Sequence, residues 1–135
     1  MKRIIIFSLV VIASISFVGC AKYDEGSNVS LISAKQRLIN TWTMTKYEVN
    51  NVDQTANVPA LEVVFYKDES FKRTLSAFIT LVDKGTWVFA DAKEYVVLTA
   101  ENGNTEKFKI IKLKNKELKV ESTNGSILRY TFVGK

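Results

Sequence analysis

From residue 42 onward, apolar and polar side chains alternate in short runs divided by turn residues. This is the period-two pattern of strands with one dry and one wet face. The pattern predicts strands over residues 42–50, 61–67, 71–75, 86–89, 95–99, 107–113, 117–121 and 127–133, with a further run at 78–82 that either continues its predecessor after a bend or forms its own strand. Within them Leu61, Val63 and Phe65 alternate with Glu62, Val64 and Tyr66, and Leu118 and Val120 with Glu117, Lys119 and Glu121. Leu128, Tyr130 and Phe132 point inward by the same phase, and Arg129 and Thr131 outward. The phase slips where Ile110 and Ile111 stand side by side, which predicts a β-bulge.

Turn chemistry fills the gaps: Asn50-Asn51-Val52-Asp53, Lys67-Asp68-Glu69-Ser70, Asp83-Lys84-Gly85, Glu101-Asn102-Gly103-Asn104 and Thr123-Asn124-Gly125-Ser126. The Asn-Gly pair at 102–103 favours a tight hairpin because both residues accept positive φ. Ahead of the strands, Leu31, Ala34 and Leu38 share one face at helical spacing, with Ser30 as a candidate cap and Asn40 as a terminator. The expected fold is therefore all-β: an eight-stranded antiparallel up-and-down barrel over residues 31–135, preceded by a short helix. A meander of this length solves its edge problem best by closing on itself, with an open two-sheet sandwich as the alternative.

The first 30 residues follow a different pattern. Lys2 and Arg3 precede an apolar run over 4–18 broken only by Ser8, Ser14 and Ser16, short for a membrane-spanning helix and suited to an export signal. The stretch Phe17-Val18-Gly19-Cys20 resembles the lipobox of bacterial lipoproteins, although Phe17 stands where Leu is usual. The resemblance implies cleavage after Gly19, a lipid on the Cys20 thiol and an acylated new amino terminus, with residues 1–19 as signal and 20–30 as tether. Several acyl chains would give stable attachment to a membrane, since each buried CH₂ contributes about 0.8 kcal/mol and one chain alone is marginal. The expected location is the outer membrane, on its periplasmic face or at the cell surface. Lys22, Asp24 and Glu25 look like the charged sorting signals that send some lipoproteins to the surface, with Tyr23 interrupting the pattern.

Composition narrows the chemistry. Cys20 is the sole cysteine, so no intrachain disulfide can form even in an exported chain. Loss of Lys2 and Arg3 with the signal lowers the formal charge of +5 by two. The lysines at 107, 109, 112, 114, 116 and 119 alternate with apolar or acidic positions, as on a solvated sheet face, and predict no nucleic-acid partner. The chain has no histidine, which removes the commonest general base and transition-metal ligand. No Gly-rich phosphate loop, Gly-x-Ser-x-Gly or calcium loop is present, and Asp53, Asp68, Glu69, Asp83, Asp91 and Glu101 fall in expected turns as solvated charges. No catalytic residue, metal site or cofactor is predicted.

Three stretches resemble lipocalin-like domains of small bacterial lipoproteins: Leu38-Ile39-Asn40-Thr41-Trp42, Gly85-Thr86-Trp87-Val88-Phe89, and residues 95–121 with their Gly103 turn. The resemblance implies a barrel whose Trp42 closes one end, with Asn40 standing where that family has Gly. An Arg near the last strand often stacks on that Trp, and Arg129 is the candidate here. Trp42, Phe65, Trp87, Phe89, Phe108 and Tyr130 are the residues expected to line a ligand cavity, against the plainer reading that they fill a core. Two functions follow. One is a lipid-anchored envelope protein holding a small apolar or amphipathic ligand. The other is a solid barrel that binds or inhibits another envelope protein. A continuous apolar cavity of about 300 Å³ or more favours the first, and a packed interior with an exposed apolar patch favours the second.

Overall fold

The computed structural model describes residues 32–135. The expected signal, Cys20 and tether lie outside the described residues, as do Ser30 and Leu31. Nine strands follow one short helix in the order α1 (Ala34–Leu38), β1 (Thr41–Val49), β2 (Val52–Asp53), β3 (Ala60–Phe65), β4 (Ser70–Ser76), β5 (Thr80–Ala90), β6 (Tyr95–Ala100), β7 (Thr105–Leu113), β8 (Glu117–Asn124) and β9 (Ser126–Gly134). All pairings are antiparallel, and β1 pairs with both β3 and β9. Eight strands thus close into the predicted barrel, which leaves no long free edge. The two-residue β2 is an addition, folded back on β1 through Asn50 and Asn51, whose φ values of 49° and 67° make a tight left-handed turn.

The alternation is realised as inward and outward faces. Leu61, Val63 and Phe65 of β3, Phe71 of β4, Trp87 of β5, Val96 and Leu98 of β6, and Leu118 and Val120 of β8 are all buried. A register shift between Ile110 and Lys112 in the β7–β8 pairing is the expected bulge, which keeps Ile110, Ile111 and Leu113 all buried. A second shift, between Met44 and Lys46, bends β1 against β9.

Several local expectations differ from the structure. Residues 83–85 are not a turn: they lie inside one continuous eleven-residue β5, and the reversal occurs instead at Ala77–Ile79, where the Ala77 N–H donates to the Ile79 carbonyl at 3.2 Å. Asp83 pairs directly with Arg73 across β4–β5, so an ionic cross-strand pair stands where turn composition had pointed to a loop. Gly85 is there for proximity, since a Cβ on it would stand 1.9 Å from the Thr99 carbonyl oxygen of β6. The helix begins later than expected and is capped by Ser33. Its side chain accepts from the Gln36 N–H at 3.2 Å, and the Gln36 side chain accepts from the Ser33 N–H at 3.2 Å.

Helix α1 lies across one end of the barrel. Leu38 and Trp42 are both 0% exposed, and the Trp42 indole donates to the Leu38 carbonyl at 2.9 Å. Arg37 Nη1 donates to the Leu113 carbonyl at 2.7 Å, tying the helix to the end of β7. Asn40, at the position of the family's Gly, does not adopt positive φ. Its Oδ1 accepts from the Thr41 N–H at 2.8 Å, and its Nδ2 donates to the carbonyl of Lys135 at 3.1 Å. A side-chain clamp replaces the glycine turn. Arg129 lies toward the opposite end: it pairs with Glu48, whereas Trp42 pairs with Gly134. Its guanidinium bonds outward to Glu121 Oε2 and Asn51 Oδ1, both at 2.8 Å, so the inferred stack on Trp42 is replaced by a surface ion pair.

Candidate functional site

The up-and-down path places α1 and the β3–β4, β5–β6 and β7–β8 turns at the closed end. The β1–β3 connection and the β4–β5, β6–β7 and β8–β9 turns surround the other end. Between the two ends lies a cavity of about 450 Å³, within the range of small-molecule sites. Its walls are mostly aliphatic and aromatic: Leu61, Val63 and Phe65 of β3, Val96 and Leu98 of β6, Leu118 and Val120 of β8, and Tyr130 and Phe132 of β9. Strand alternation explains this lining, because the inward positions of these four strands at the height of the cavity carry apolar or aromatic side chains. Leu75, Leu81 and Val82 continue the lining toward the β4–β5 turn, where Leu81 and Val82 are more than half exposed. Phe78 at that turn is fully exposed, with Ile79 beside it at 67%.

The six aromatic residues singled out in the sequence divide by height in the barrel. Phe65, Phe108 and Tyr130 line the cavity. Trp42 belongs to the plug beneath it. Trp87 is 3% exposed, donates its indole N–H to the Tyr66 carbonyl at 3.2 Å, and meets Phe65 edge-on with centroids 5.7 Å apart. Phe89, lower still on β5, packs edge-on against Trp87 at 5.5 Å. Both tryptophans thus spend their polar handles on backbone carbonyls, and Trp42, Trp87 and Phe89 pack in the core without lining the cavity.

The cavity also holds charge, including Asp83, which turn composition had placed among solvated charges. Arg73 of β4, Asp83 of β5 and Glu106 of β7 all face it. Arg73 Nη2 lies 2.5 Å from Asp83 Oδ2, and Nη1 lies 2.6 Å from Glu106 Oε2. Burial works against the guanidinium charge, but the bonds to Glu106 and Asp83 outweigh it and hold Arg73 above its ordinary pKa. Next to this triad, the Tyr130 ring packs against Tyr47 at 5.0 Å and Phe108 at 6.0 Å. Burial, with help from neighbouring Tyr47 and Glu106, pushes the Tyr130 phenol up to about 12. It is therefore a neutral hydrogen-bonding group at ordinary pH. The inward phase Phe71, Arg73, Leu75 was the available signal for Arg73; Glu106 stands one residue before the predicted start of its strand and shares the phase of Phe108.

Among the described residues no group of three or more His, Cys, Asp or Glu side chains is placed to hold a metal ion. No described helix is long and apolar enough to cross a membrane. The site is an apolar chamber with one ionic cluster and one phenol, suited to enclosing a molecule with an apolar body and a polar end.

No family model and no curated protein matches the chain. Among solved structures it is similar to an uncharacterized protein from Bacteroides eggerthii, with a TM-score of 0.55 and 14% identity over 73% of this chain and 99% of that one. At that identity the likeness concerns the fold alone.

Proposed function

We propose that this chain is a lipid-anchored binding protein of the bacterial cell envelope. Its lipocalin-like barrel holds one small apolar or amphipathic ligand and carries out no catalysis. The observation that carries the reading is the cavity of about 450 Å³ with its mostly apolar wall, in a barrel whose one end is plugged by Trp42 and α1. A solid barrel would have filled that volume, since protein interiors pack to crystal-like density and leave few voids larger than a water. The resemblance of residues 17–20 to a lipobox supports attachment through Cys20 to the outer membrane, with the barrel on the periplasmic face or at the cell surface.

One feature favours the second reading, a protein partner. Phe78, Ile79, Leu81 and Val82 form an exposed apolar patch on the β4–β5 hairpin. Leu81 and Val82 also border the cavity, so the same residues serve as the rim of the chamber.

Native mass spectrometry of the protein extracted from its own membrane tests the proposal. A co-purifying small molecule at one per barrel is the expected result. A stoichiometric protein partner on an empty barrel overturns it. In the same extract Cys20→Ala is expected to leave the chain without acyl groups and in the soluble fraction; acyl chains retained on that variant would remove the anchor.

A further inference from the structure

The charges that face the cavity run against those of the molecule as a whole. The chain carries a formal +5, yet one guanidinium and two carboxylates look into the chamber, leaving one net negative charge there. The depth of the three groups matters as much as their sum. The Arg73 side chain is 21% exposed, whereas Asp83 is 36% and Glu106 47% exposed. A head group near the mouth therefore meets carboxylates before it meets the guanidinium.

Arg73 is also committed. Its Nη1 and Nη2 are both engaged, one with each carboxylate, in the geometry that a ligand carboxylate or phosphate would need for a two-point contact. An anion could take that place only by displacing a charged bond and standing beside two like charges. Asp83 Oδ1 and Glu106 Oε1, by contrast, take no part in these bonds and can accept from a donor. The Tyr130 phenol, on the Glu106 side of the chamber, adds a neutral acceptor.

We infer that the chamber selects amphiphiles with a cationic, hydrogen-bond-donating head group, an amine on an apolar body, through Asp83 and Glu106, with Arg73 positioning the two carboxylates. This rests on the reading of the barrel as a binding chamber and adds the class of ligand. The apolar body occupies the wall of Leu98, Val120 and Phe108, and the ammonium sits at the carboxylates near the rim. Arg73 keeps the two acids together at a separation that neither would hold alone.

Displacement of a neutral dye, N-phenyl-1-naphthylamine, by three amphiphiles with the same dodecyl tail tests this below their micelle concentrations: dodecylamine, dodecanol and laurate. The expected order is amine, then alcohol, then carboxylate, with the amine tighter than laurate by about tenfold or more, the scale of one uncompensated charge in a half-buried site. The preference should shrink as salt is raised, because the carboxylates are partly solvated. Glu106→Gln, which leaves the Arg73–Asp83 pair intact, should lose most of the preference for the amine, read as the ratio of amine to dodecanol affinity in the same variant. Asp83→Asn should do the same by an independent route if the first variant folds poorly. Laurate binding as tightly as dodecylamine, or a preference that survives in both variants, overturns the inference while leaving the chamber standing. Failure of dodecanol and the dye to bind at all overturns the chamber and the inference together.

Discussion

Arg73 and Asp83 stand directly opposite each other on β4 and β5 and join inside the barrel, Nη2 to Oδ2 at 2.5 Å. The pair explains why Asp83-Lys84-Gly85 continues a strand despite its turn-like composition. It also makes a measurable contribution to stability. Arg73→Met leaves Asp83 and Glu106 facing each other without a cation. A hydrogen bond to a charged group contributes about 1.5–3 kcal/mol, and partial solvent access to both carboxylates places the expected cost at the low end, about 1–2 kcal/mol. Urea unfolding reads this directly. A change below about 0.3 kcal/mol, inside the ordinary scatter of surface substitutions, would show that the triad does not stabilise the fold.

The closed end gives a second prediction. Trp42→Phe keeps a ring in the plug but leaves the Leu38 carbonyl without its donor, at an expected cost of about 1–3 kcal/mol. Asn40→Gly restores the residue typical of the resembling family and removes the bonds to Thr41 and Lys135. Because the Asn40 backbone is not at positive φ, the glycine gains nothing from its freedom, and the variant is expected to melt several degrees below the parent in a thermal scan.

Gly85 is expected to tolerate no side chain. In Gly85→Ala the new Cβ would meet the Thr99 carbonyl oxygen and the Ala100 Cα, both backbone, so β5 and β6 must separate locally. Overpacking of this kind costs about 1–3 kcal/mol or more. Calorimetry is expected to show a lowered melting temperature, and amide exchange should show loss of protection centred on Thr99 and Ala100.

Tyr130 predicts a pH dependence at the alkaline end. Its folded pKa is raised to about 12 from an ordinary 10, chiefly by burial. The unfolded chain therefore releases this proton first. The folded state holds more protons between pH 10 and 12, and stability falls as pH rises through that window. Below pH 10 the phenol is neutral in both states and contributes no slope. Tyr130→Phe should flatten the alkaline fall in stability measured by urea unfolding, and ultraviolet titration should lose one late-ionising phenol.

Much of the barrel was legible in the chain because one face of every strand is dry. Alternation located the strands, the adjacent Ile110 and Ile111 marked the bulge, and the family resemblance, not the alternation, pointed to Trp42 at the closed end. The β4–β5 hairpin was hidden because its reversal uses Ala77-Phe78-Ile79, residues with no turn preference, while Asp-Lys-Gly sits mid-strand. Turn composition carries no information about a partner on the next strand, and here the partner, Arg73, decides. The β2 addition is two residues long, too short for any periodicity. For the site, Phe65, Phe108 and Tyr130 were legible as inward aromatics. Their height relative to Trp42, Trp87 and Phe89 was not, because it depends on barrel register. Asp83 was missed because an acid in a turn-like stretch reads as solvated until the strand is seen to run through it, and Glu106 because it precedes the predicted start of its strand.

The central claim is that the barrel encloses a usable chamber. Titration of N-phenyl-1-naphthylamine into the parent protein and into a Leu75→Trp/Leu81→Trp double variant, which crowds the rim from two neighbouring strands, tests it most directly. Saturable binding of one dye per parent barrel, sharply weakened in a double variant that melts like the parent, is the predicted result. A parent that takes up no dye, or a double variant that binds it equally well, would contradict the account.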